Sequence, residues 1–106
     1  MKYLKRAIRE DIENYLKYFP VLLITGARQV GKSTLALHLG INSYITLDDI
    51  NMYQMAKNDP KGFIGHLEKP VIIDEVQRLP ELMITIKEYV DKERINGEFV
   101  LTGSAS

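Results

Sequence analysis

Four short apolar runs recur along this chain, at residues 21–25 (VLLIT), 43–48 (SYITLD), 71–74 (VIID) and 99–102 (FVLT). They are too short for helices, and most are dense in β-branched residues, so each reads as a strand. The runs at 21–25, 71–74 and 99–102 do not alternate, the pattern of strands buried on both faces. Between the runs the apolar spacing becomes helical. Leu4, Ile8, Ile12, Tyr15, Leu16 and Phe19 recur at that spacing ahead of Pro20, with Lys5, Arg9, Glu13 and Lys17 on other faces. Residues 32–39 read as a second helix stopped by Gly40, and 49–58 as a third capped by Asp48 or Asp49. Pro60 starts a short helical turn over 60–67. Pro80 starts a long helix with Leu82, Met83, Ile86, Tyr89 and Val90 facing inward, closed by Asn96 and Gly97. Strands alternating with helices predict a parallel sheet covered on both sides, a doubly wound three-layer α/β fold.

Length and composition bound the rest. A chain of 106 residues makes one domain, here a helix at 1–19 and a core at 20–106. Lys plus Arg and Asp plus Glu both number 14, so no broad basic face points to nucleic acid or an anionic membrane. No cysteine is present, which excludes disulfides and thiolate metal sites and agrees with a cytoplasmic location. No apolar run approaches the length of a bilayer span.

Directly after the first strand, Gly26-Ala27-Arg28-Gln29-Val30-Gly31-Lys32-Ser33 matches G-x-x-x-x-G-K-[ST] in full, with Thr34 following. Gly26 lets the chain leave the strand, and Gly31 can take backbone angles that a Cβ disfavours. Successive N–H groups can then turn inward around an anion, helped by the positive end of the helix near Lys32. Lys32 places a compact charge on the β- and γ-phosphates of a nucleotide. The Ser33 hydroxyl is a candidate Mg²⁺ ligand. A glycine-bearing turn that binds nothing is the plain alternative.

Asp74 and Glu75 follow the third strand. Ligands in open α/β sheets lie at the carboxyl ends of the strands, so Asp74 can hold Mg²⁺ opposite Ser33. Glu75 can orient or deprotonate an attacking water. At the end of the fourth strand, Thr102 or Ser104 can hydrogen-bond the γ-phosphate or that water, with Thr102 the preferred candidate. For the two acids a solvated turn or a helix cap is the alternative, and for Thr102 and Ser104 an ordinary strand-ending turn.

The segments GARQVGKSTL, YITLDD, VIIDEVQRLPEL and IKEYVDKERINGEFVLTGS resemble prokaryotic AAA-type P-loop ATPases. In these an N-terminal ATPase domain precedes a C-terminal domain of uncharacterised function. The resemblance runs along nearly the whole chain. It implies that Lys32 and Ser33 belong to a Walker A motif, Asp74 and Glu75 to Walker B, and Thr102 or Ser104 to the sensor 1 region. It also implies ATP and Mg²⁺ as ligands, a sensor strand lying between the two Walker strands, and a fifth strand flanking the first. The sequence ends before a fifth strand, a lid or a second sensor, so a partial domain is expected. Self-association through the first strand's edge, or docking of a C-terminal domain, follows from that expectation.

Three functional classes therefore stand. The chain reads as the core of an ATPase, as a nucleotide-dependent interaction module without appreciable hydrolysis, or as a small-molecule kinase. The kinase fits least, because no acceptor-binding segment is visible. His38 and His66 have no ligand-spaced partner and read as packing residues. Arg28, Arg78 and Arg94 read as solvated charges that can act on phosphate only in trans. Tyr15, Tyr18, Phe19 and Tyr89 read as packing aromatics.

Overall fold

In the computed structural model, residues 2–26 and 39–104 are described, with side chains from residue 9 onward. Helix α1 (Lys2–Tyr18) ends just before Pro20, and β1 (Val21–Gly26) begins directly after it. Then come β2 (Ser43–Thr46), α2 (Ile50–Asn58), α3 (Pro60–His66) and β3 (Val71–Asp74). A 3₁₀ turn (Val76–Arg78), α4 (Glu81–Glu93) and β4 (Phe99–Ser104) follow. The helix read at residues 32–39 lies outside the described residues. Gly40, which was to stop it, has a left-handed backbone with φ 70°.

The four strands form one sheet in the order β1-β4-β3-β2, and every pairing is parallel. β4 therefore lies between β1 and β3, as the resemblance implied. This order buries the two central strands: Val71, Ile72 and Ile73, with Phe99, Val100 and Leu101, are all buried. The two strand faces divide by parity. Val71, Ile73, Phe99 and Leu101 pack with helix residues such as Ile64 and Leu82. Ile72 and Val100 pack on the other face with Leu16 of α1, Ile24, Leu39 and Ile41. The chain is thus a three-layer α/β domain.

The sheet order corrects one expectation. β1 was read as buried on both faces, yet Leu23 is 47% exposed. Among the described strands β1 is an edge, and an unalternating apolar run fits an edge as readily as a centre. Tyr18, read as packing, is 74% exposed, whereas Tyr15 and Phe19 stack with ring centroids 4.4 Å apart.

Element ends differ for local reasons. β2 stops at Thr46 rather than at residue 48, because Thr46 closes a turn there. Its Oγ1 accepts the Asp48 N–H at 3.1 Å and its carbonyl accepts the Asp49 N–H at 3.2 Å. Asp49, not Asp48, caps α2, accepting from the Asn51 and Met52 N–H groups. α4 ends at Glu93 because Arg94 takes a left-handed backbone with φ 55° and donates its N–H to the Val90 carbonyl at 2.9 Å. Gly97 serves the next turn with φ 78°, where a Cβ would stand 3.1 Å from the Leu16 carbonyl oxygen. β4 extends two residues past Thr102, to Ser104.

At α3, Asp59 is the cap, its Oδ1 accepting the Gly62 N–H at 3.1 Å. A Cβ at Gly62 would overlap the same carboxylate. Gly62→Ala is expected to displace the cap and cost about 1 kcal/mol, the usual worth of an N-cap. Urea unfolding of the two forms reads this directly; coincident midpoints would show the cap to be unimportant.

Candidate functional site

Parallel pairing brings all strand C-termini to one edge of the sheet, and register decides which side chains meet there. Tyr44 pairs with Ile72, and Ile72 with Val100. Two residues further along each central strand, on the same face, stand Asp74 and Thr102. The diagonal from Tyr44 to Asp74 is within reach of a long aromatic side chain. The Tyr44 hydroxyl accordingly donates to Asp74 Oδ2 at 2.8 Å. Thr102 Oγ1 donates to Asp74 Oδ1 across the adjacent pair of strands. Both carboxylate oxygens of Asp74 are therefore engaged by hydroxyls.

Glu75 departs from the strand. Its backbone is left-handed, with φ 58° and ψ 43°, a conformation that costs an ordinary L-residue roughly 1–2 kcal/mol. Such strain persists where the surroundings hold it. Here the 3₁₀ turn does so, with the Arg78 N–H donating to the Glu75 carbonyl at 3.1 Å. The side chain is 4% exposed. Its Oε1 accepts from Ser104 Oγ at 3.1 Å and its Oε2 from Gln77 Nε2 at 3.0 Å. Thr102, only 2% exposed, gives its one O–H to Asp74.

Gly26 ends β1 directly opposite Ser104. The start of the glycine-rich stretch thus lies beside the Asp74–Thr102 and Glu75–Ser104 pairs. Residues 27–34, including the candidate ligands Ala27, Arg28, Gln29, Val30, Gly31, Lys32, Ser33 and Thr34, lie outside the described residues, as does His38. The other singled-out residues make contacts of their own. Asp48 is paired with Arg78, Arg94 caps α4, and His66 Nδ1 lies 2.7 Å from the Gly62 carbonyl. No cluster of three or more His, Cys, Asp or Glu residues that could hold a metal occurs among the described residues. A hollow of about 540 Å³ between β2, α2 and α3 is lined by Ile45, Met52, Phe63 and Leu67, and includes none of the strand-end groups.

Two contributors escaped the sequence reading. Tyr44 reaches Asp74 only because β2 lies beside β3 in a given register, which no local pattern reveals. Gln77 falls in the VIIDEVQRLPEL segment that carries the family resemblance, but an exposed glutamine in a turn has no role that its sequence position alone assigns.

A four-stranded parallel sheet with helices on both faces, acids at its C-terminal edge and a glycine-rich exit from β1 defines a P-loop NTPase-like α/β domain. A family model for an AAA domain matches residues 18–106, and the chain belongs to that family. It carries an AAA-type, P-loop ATPase-like, nucleotide-binding domain. Among curated proteins it is similar to two uncharacterized mycobacterial proteins, one from Mycobacterium bovis and one from Mycobacterium tuberculosis. Each is 36% identical over 89 residues, covering 82% of this chain and 20% of the relative. The chain therefore spans about a fifth of the length of these relatives. No solved structure matches it significantly. No helix among the described residues is long and apolar enough to cross a membrane.

Proposed function

We propose that this domain binds Mg·ATP and, within the complete protein, hydrolyses it. The observation that carries the reading is the convergence of Asp74, Glu75, Thr102 and Ser104 at the strand ends, beside Gly26. Backbone N–H groups of residues 26–34 cradle the phosphates, and Lys32 neutralises the β- and γ-oxygens. Asp74 and Ser33 are the residues that would hold a magnesium ion, whose preference for oxygen ligands suits a carboxylate fixed by two hydroxyls. When bound, such an ion would supply positive charge against the phosphate oxygens. Glu75 takes a proton from water as the water oxygen bonds to the γ-phosphorus. The bond from that phosphorus to the β–γ bridging oxygen breaks, and ADP leaves. Thr102 is the polar strand-end group of this reaction, acting from its place on Asp74.

Residues 1–19 are the leading segment of this domain, carrying α1, and residues 20–106 its nucleotide-binding core, working in the cytoplasm. Among the described strands β1 is an edge, which suits pairing with a further strand of the same protein or of a second copy. That edge favours a second reading, in which nucleotide binding governs an interaction rather than rapid turnover. Affinity for the partner that ignored bound nucleotide would dismiss this second reading.

A thermal-shift series with ATP, GTP and Lys32→Ala tests the main proposal. At a hundred times Kd a ligand confined to the native state adds about 2.7 kcal/mol, which raises the Tm of a domain of this size by roughly 10 °C or more. Mg·ATP is expected to give that rise, GTP a smaller one, and Lys32→Ala little of either. Identical melting with and without Mg·ATP would refute binding.

A further inference from the structure

The Glu75 carboxylate is not simply placed beside β4; it is tied to it through a third residue. Gln77 Nε2 donates to Glu75 Oε2 at 3.0 Å, while Gln77 Oε1 accepts the Ser104 N–H at 3.3 Å. Ser104 Oγ completes the ring by donating to Glu75 Oε1 at 3.1 Å. We propose that Gln77 is a positioning residue that locks the Glu75 carboxylate to the end of β4. This rests on the reading of Glu75 as the group that activates water.

Chemistry explains why the residue is a glutamine. The bridge needs a donor and an acceptor at the tip of one neutral side chain, and only a primary amide offers both in fixed geometry. A glutamate would set two carboxylates against each other, and a lysine would have no acceptor for the Ser104 N–H. The length matters as well, since the amide must span from the 3₁₀ turn to the neighbouring strand. β4 leaves room for it. A Cβ on Gly103 would stand 3.0 Å from Gln77 Oε1, closer than such contacts comfortably allow. Glycine at 103 therefore lets the amide lie over the strand.

The strained backbone of Glu75 gives the bridge a task. A left-handed residue directly after a strand points its side chain along a path that the preceding pleat does not set. Hydrogen bonds to β4 then fix where the carboxylate lies relative to Asp74 and the end of β1. A merely structural role in the turn would leave that orientation, and the chemistry, unaltered.

The test compares Gln77→Leu, Gly103→Ala, Glu75→Gln and the double variant Glu75→Gln/Gln77→Leu in the intact protein. Leucine keeps the bulk and removes both bonds. Alanine at 103 displaces the amide without touching Gln77. Each is expected to lower kcat by roughly tenfold to a hundredfold, the scale of a misplaced reacting group, with the KM for ATP within about twofold. The double variant should be no slower than Glu75→Gln alone, because positioning a group that cannot take a proton gains nothing. Hydrogen exchange should quicken at the Ser104 amide in Gln77→Leu but not at the buried Leu101 amide, which separates a broken bridge from a loosened sheet. If Glu75→Gln abolishes turnover while Gln77→Leu keeps the parental kcat, the bridge is irrelevant and this inference fails alone. If Glu75→Gln itself turns over at the parental rate, or the parent shows no turnover, the assignment of Glu75 fails and takes this inference with it.

Discussion

Glu75→Gln is expected to lower kcat for ATP hydrolysis by about 10²- to 10⁴-fold, the usual contribution of a positioned general base, with the KM for ATP nearly unchanged. Glutamine has the volume of glutamate and still offers a carbonyl oxygen, but it cannot accept the proton of the attacking water. The loss corresponds to roughly 2.7–5.5 kcal/mol of transition-state stabilisation. Binding should survive, since the proposed phosphate contacts come from residues 26–34 rather than from the end of β3. The fold should survive too. Ser104 Oγ and Gln77 Nε2 now donate to Glu75, and the rotatable hydroxyl can turn to accept from an introduced amide. The variant should therefore hold ATP without consuming it. Single-turnover measurement separates this from a binding defect: unchanged nucleotide occupancy with a slowed chemical step is the expected result. A parental rate of phosphate release would remove Glu75 from the chemistry.

How far the sequence reaches depends on whether a feature is local. The apolar runs at 71–74 and 99–102 are continuous, and both are central strands. The run at 21–25 has the same texture yet is an edge among the described strands; the family resemblance anticipated that edge, whereas apolar texture records burial of a core and not rank within a sheet. Asp74, Glu75 and Thr102 are visible as polar residues that end apolar runs. Their bonds are not, because Tyr44 finds Asp74 only through the register of β2 on β3. The end of α4 shows the converse limit. Gly97 is the residue that suits a left-handed position, yet the helix ends three residues earlier, at Arg94, where nothing in the side chain marks it. A non-glycine residue in that conformation is held by its neighbours, and a sequence does not display them. Glu75 is the same case at the site itself. Residues 27–34 match a phosphate-binding loop in sequence, and membership of the AAA-domain family agrees with that match.

Phe99→Ala carries the largest expected effect on stability, a loss of about 3–5 kcal/mol. Phe99 is fully buried at the start of β4, paired with Val21 on one side and Val71 on the other. Its ring meets Tyr89 of α4 edge-on, with centroids 5.7 Å apart and planes at 86°, so truncation leaves a void and also removes an aromatic pair. A domain of this size has roughly 5–15 kcal/mol in all, and the variant should sit near the threshold of folding. β4 is also the strand that carries Thr102 and Ser104 to the two acids. Loosening it at Phe99 thus weakens the site from a distance, unlike Glu75→Gln, which leaves the sheet intact. Saturating Mg·ATP at a hundred times Kd should return about 2.7 kcal/mol, so urea midpoints of Phe99→Ala should recover much of their loss when nucleotide is added. An unliganded variant within about 1 kcal/mol of the parent would mean that Phe99 is not part of the core. In that event the central placement of β4, on which the meeting of Asp74 with Thr102 depends, would have to be abandoned.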